Sequence, residues 1–184
     1  MKPAYWDPVP YARRLVAPRT PRFPVFSGVW AERNWRNVPG PFYGADTDCM
    51  ELGRCEAPRH VAYDGDHEFV YRQPVNAFET EALVSAARVE LYLGYGWDGE
   101  DHWTVEAVRD WWRDRRRVRE WALAAAAERD AEDPAYFVHH HDAGQGLRDF
   151  VAYIDDGLEA YLRGYLFWLE QRREPGHGEA LPGL

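Results

Sequence analysis

A single domain of the α+β class, mostly helical, is what this 184-residue sequence predicts. Three observations carry that reading. Apolar residues recur at three- and four-residue steps through most of the second half. Two short runs rich in β-branched and aromatic residues flank an Asp-Gly turn in the first half. The apolar fraction of 46% and the aromatic fraction of 15% are enough to bury a core and argue against disorder. The expected architecture is a small antiparallel hairpin or sheet from the first half, packed on two long C-terminal helices and one shorter helix.

Residues 1–26 hold Pro3, Pro8, Pro10, Pro18, Pro21 and Pro24. Proline at this density works against helix interiors and central strands, so an extended arm is expected. Its rings, Tyr5, Trp6, Tyr11, Phe23 and Phe26, are suited to pin the arm to the body. From Phe26 to Tyr43 a short strand or helical turn around Val29, Trp30 and Trp35 is expected. Pro39-Gly40-Pro41 then forces a loop that runs through Cys49.

The runs His60–Tyr63 and Glu68–Arg72 predict a hairpin turning at Asp64-Gly65-Asp66-His67. Asn76 with Glu79 has the spacing of a capping box, and Phe78, Ala82, Leu83, Ala86 and Ala87 form an apolar stripe to about residue 90. Gly94–Gly99 ends that helix in a loop rich in glycine and rings. Thr104 is placed to cap the next helix, with Glu106 in its first turn. Its apolar positions run from Val105 to Ala125, and it should end before Asp133-Pro134, where a short further helix can open. The last stripe runs from Leu147 to Leu169 and reads as one helix of more than six turns. Gly157 and Gly164 share a face of it, each costing about 1 kcal/mol relative to alanine, which points to close packing or a bend. Residues 175–184 are expected to fray.

Charge is unevenly distributed. The net charge is −9, yet residues 1–36 sum to +5, 37–102 to −9, 103–129 to +2 and 130–184 to −7. An acidic block on a compact protein attracts a basic partner before contact. One lysine against 21 arginines, and one isoleucine, Ile154, indicate the codon bias of a GC-rich, bacterial genome. The arginine count is therefore no sign of phosphate binding. Cys49 and Cys55 lack zinc-finger spacing and read as reduced thiols. With no apolar run of signal or membrane-spanning length, a soluble cytoplasmic protein is expected.

Four constellations are candidates for chemistry. His139-His140-His141-Asp142 could place His139, His141 and Asp142 around a metal on an extended segment, though it reads more simply as a polar connection. Asp46, Asp48, Asp64 and Asp66 could hold a hard cation, but the Asp-Gly turn accounts for the second pair. The loop 94–103 joins acids to rings and suits recognition, with rings supplying area and carboxylates meeting arginines. The basic run Arg113–Arg119 is interleaved with Asp110, Asp114 and Glu120 and reads as a solvated face, which argues against nucleic acid. Ser27 and Ser85 lie in no nucleophile motif.

These features favour a small acidic protein-binding module of the immunity or antitoxin type, without cofactor, that neutralises a basic partner. The expected contacts are Asp46, Asp48, Asp64, Asp66, Asp98, Glu100 and Asp101, with Tyr95, Trp97 and Trp103 as anchors. The alternatives are a divalent-metal enzyme using the histidine run or the Asp clusters, and a binder of small molecules or sugars that stacks them on its nine tryptophans.

Overall fold

The structure, a computed structural model, describes residues 5–17, 24–131 and 143–184. Among these, helices α1 (Val9–Val16), α2 (Leu52–Glu56), α3 (Ala77–Val89), α4 (Val105–Ala131), α5 (Ala143–Asp155) and α6 (Leu158–Gln171) accompany two two-stranded antiparallel sheets. Strand β1 (Tyr43–Gly44) pairs with β4 (Tyr95–Gly96), and β2 (Val61–Tyr63) pairs with β3 (Glu68–Val70). This is the expected mostly helical α+β fold. No helix among the described residues is long and apolar enough to cross a membrane.

The β2–β3 hairpin is the middle layer. Val61 pairs with Val70 and Ala62 with Phe69, so side chains alternate between two cores. Ala62 and Phe69 join α4, α5 and α6 in the larger core with Trp111, Leu147, Phe150, Leu158 and Leu162. Val61 and Val70 join α3 in the smaller one with Phe42, Leu83, Val84 and Tyr95. The turn forms as its residues dictate. The Asp64 carboxylate accepts the N–H groups of Asp66 and His67, and Gly65 takes a positive φ of 114°.

The helix caps follow the sequence closely. Asn76 Oδ1 accepts the Glu79 N–H at 2.9 Å. The Glu79 carboxylate reaches back to the Val75 N–H, one residue before the cap. Thr104 Oγ1 accepts the Ala107 N–H at 3.1 Å at the start of α4.

Three expectations are corrected. First, residues 1–26 are not one extended arm, because α1 forms inside it. Pro8 sits at the N-cap and Pro10 in the first turn, where an absent N–H costs nothing. Second, the stripe from Leu147 to Leu169 is not one helix. Gly157, with φ 106° and ψ −34°, breaks it between α5 and α6. Third, residues 175–184 do not fray. Arg163 donates to the carbonyls of Leu181 and Pro182, Arg109 donates to that of Gly183, and Leu184 packs on the larger core. Tyr5 is buried against Tyr161, Tyr165 and Trp168, and its hydroxyl donates to Glu100 at 2.9 Å. The helix expected to open at Pro134 lies outside the described residues.

Candidate interaction surface

Two loops, 45–51 before α2 and 90–94 after α3, are stapled together by buried carboxylates. Asp48 accepts the Met50 N–H on Oδ1 and the Leu91 N–H on Oδ2, each at 2.7 Å. Glu90 returns the arrangement. It accepts the Asp48 N–H at 2.7 Å, the Tyr92 N–H at 3.0 Å and the Gly94 N–H at 2.6 Å. Two buried carboxylates thus satisfy five backbone donors that neither helix nor sheet can serve. Gly94 fits here because a Cβ would lie 2.2 Å from the Asp46 carbonyl oxygen. The backbone bends sharply, with Glu51 at φ 56° and Leu93 at φ 58°.

A second buried layer supports the staple. The Glu68 carboxylate accepts the Arg54 N–H at 2.6 Å and the Tyr95 hydroxyl at 2.8 Å. Burial, only partly offset by these bonds, pushes the Glu68 carboxyl up to about 7. Thr47 Oγ1 accepts the Glu68 N–H. Glu51 pairs with Arg54 at 2.7 Å and with Arg129 of α4 at 3.5 Å. That last contact ties the loops to the helical layer.

On this base three apolar side chains point to solvent. Met50 is 52% exposed, Leu91 66% and Tyr92 67%. Because Met50 and Leu91 hang on the two oxygens of one carboxylate, they leave the surface from adjacent points. Asp46 is exposed beside them, 3.8 Å from His67 Nδ1. A rigid base under exposed apolar side chains suits recognition, since little order is lost on binding.

The expected contact residues do not form one acidic patch edged by rings. Asp48 and Tyr95 are interior, the first as staple and the second against Glu68. Asp64 is bound by Arg36 at 2.6 Å and by Asn34. Asp66 is exposed at the hairpin turn. Trp97 is stacked on Phe26, with ring centroids 4.9 Å apart. Asp98 accepts the Tyr43 hydroxyl at 2.7 Å and lies 3.2 Å from His102 Nε2. Glu100 holds Tyr5, and burial pushes its carboxyl up to about 7. Asp101 is exposed, and Trp103 meets Trp30 edge-on at 5.3 Å. Of these ten, Asp46 alone sits at the stapled loops with its side chain in solvent. Sequence reasoning missed Met50, Leu91 and Tyr92; the one signal was an apolar run, Leu91-Tyr92-Leu93, directly after a helix end.

Among the described residues, no group of three or more His, Cys, Asp or Glu side chains is arranged to hold a metal. His139, His141 and Asp142 lie outside them. Cys49 and Cys55 are not joined, and both are exposed. In the basic run, Arg113 pairs with Asp110 and Arg117 with Asp114. The chain matches no family model, no curated protein and no solved structure with which it was compared.

Proposed function

We propose that this protein is a small acidic protein-binding module, of the immunity or antitoxin type, that captures a basic partner at the stapled loops. Met50, Leu91 and Tyr92 are the anchors, and Asp46 supplies charge at the edge. The observation that carries this reading is the Asp48–Glu90 staple, which holds in one fixed relation the two loops that carry the exposed side chains Met50, Leu91 and Tyr92. Buried carboxylates are costly unless their hydrogen bonds are complete, and here all five bonds hold the backbone of these two loops. The anchors also lie inside the block 37–102, whose net charge of −9 favours a basic partner at long range.

A photo-crosslinking amino acid at position 92, in cells that produce the protein naturally, tests this. The expected result is one dominant adduct with a basic protein. It should be absent when the probe replaces His177 in the tail and lost when Met50 and Leu91 are changed to serine. No adduct above the His177 background, or one with an acidic protein, overturns the proposal.

A further inference from the structure

Segment 5–17 crosses both cores as a strap. Tyr5 lies in the larger core, its ring centroid 6.0 Å from that of Tyr161 and 5.6 Å from those of Tyr165 and Trp168. Ala12, fully buried, lies in the smaller core with Leu83 and Val84 of α3. Helix α1 has eight residues, and an isolated helix of that length does not persist in water. Its internal hydrogen bonds therefore last while the strap is docked and are lost when it leaves.

Three glutamates from separate parts of the chain receive the strap. The Tyr5 hydroxyl donates to Glu100 at 2.9 Å, the Asp7 N–H to Glu174 at 3.2 Å and the Tyr11 hydroxyl to Glu81 of α3 at 2.5 Å. The first two contacts flank the side chain of Asp7. Docking thus carries a further carboxylate up to Glu100 and Glu174. Carboxylates gathered in a half-buried site favour the retention of a proton.

Compensation for this gathering is thin. Glu100 faces Tyr5 and Asp7 from the strap, Trp168 from α6 and Arg172 just beyond α6; the Tyr5 hydroxyl, Trp168 and Arg172 favour its charged form, and Asp7 opposes it. Asp101 joins Glu100, Asp7 and Arg172 around the Tyr165 hydroxyl. Arg13 of α1 acts on Asp7, while Arg173 is held by both oxygens of Glu179. Asp48 and Glu90 are served by five backbone N–H groups, whereas Glu100 takes its hydrogen bond from the strap itself. Burial first, and Asp7 next, push the Glu100 carboxyl from the ordinary 4.5 up to about 7. A group raised in this way stabilises the docked state below its ordinary value, and that contribution is lost as pH rises through 7.

We infer that segment 5–17 is a proton-controlled strap, which closes over α6 with a proton held at Glu100 and loosens when that proton leaves. Loosening bares Tyr161, Tyr165 and Trp168, which follow at helical spacing along one face of α6. The strap is separate from the stapled loops and does not depend on their role.

Amide hydrogen exchange on the full chain tests it. The Ala12 N–H, bonded to the Pro8 carbonyl at 2.9 Å, reports the strap; the Tyr71 N–H, bonded to the His60 carbonyl at 2.9 Å, reports the body. Protection factors, which remove the intrinsic pH dependence of exchange, are compared at pH 5 and pH 7.5. The ratio of Ala12 to Tyr71 protection should fall by about tenfold or more over that range. Glu100→Gln keeps an acceptor for Tyr5 but cannot ionise, and should hold the ratio constant. Asp7→Asn removes one like charge and should shrink the fall. A wild-type ratio that stays constant or rises, or a fall of full size in either variant, overturns the inference.

Discussion

Asp48 shows how a charge can be structural without meeting an opposite one. Each of its oxygens takes a backbone N–H at 2.7 Å from a different loop, in a site only 3% exposed. Removing the side chain strands both donors, and each lost bond to a charged acceptor is worth about 1.5–3 kcal/mol. Asp48→Ala should therefore destabilise the protein by about 3 kcal/mol in urea unfolding, with faster hydrogen exchange at Met50 and Leu91. A loss near zero would mean the loops are held by other means. The sequence placed Asp48 in an acidic stretch but could not tell an acid facing water from one facing amides. Side-chain type is the same in both cases; the difference lies in a donor 43 residues away.

Among the elements, α5 and α6 show a periodic pattern that outlives its helix. The apolar stripe from Leu147 to Leu169 is real, since Leu147, Phe150, Ile154, Leu158, Leu162 and Leu166 are all buried. Yet the backbone turns at Gly157, whose φ of 106° and ψ of −34° suit glycine and strain any residue with a Cβ. Gly157→Ala should cost about 1–3 kcal/mol in urea unfolding. A stabilising effect, as expected for glycine replaced inside a regular helix, would show that the break is not required. Helix α1 teaches the converse about proline, which is tolerated where the first turn has no bond to lose. Elements with local determinants were legible: the Asp-Gly turn, the Asn76 cap and the Thr104 cap. The β1–β4 pair was not, because Tyr43 and Gly96 meet across 53 positions and no tight turn joins the two strands directly.

At the scale of the whole molecule, buried acids couple stability to pH. Burial raises the carboxyl of Glu68, and that of Glu100, from the ordinary 4.5 to about 7. Between those values the folded protein keeps protons that the unfolded chain has released, so raising the pH through this window favours unfolding. His60 acts in the opposite sense, since burial holds its imidazole below the usual range. The difference between variants is therefore the informative quantity. Glu68→Gln should gain on the wild type as pH rises from 5 to 7, by at most about 1.4 kcal/mol per unit, measured as urea midpoints. A constant difference across that range would show that Glu68 is ionised throughout.

The sequence by itself determined the fold class, the hairpin and two helix caps. Each of these follows from neighbours along the chain or from apolar area that must leave water. Only the tertiary structure decided which acids face solvent, where the long stripe bends, and that Met50, Leu91 and Tyr92 share one base. Those outcomes depend on donors, carbonyls and packing surfaces brought in from distant segments, and a charge or a ring carries no local mark of whether such a partner will arrive.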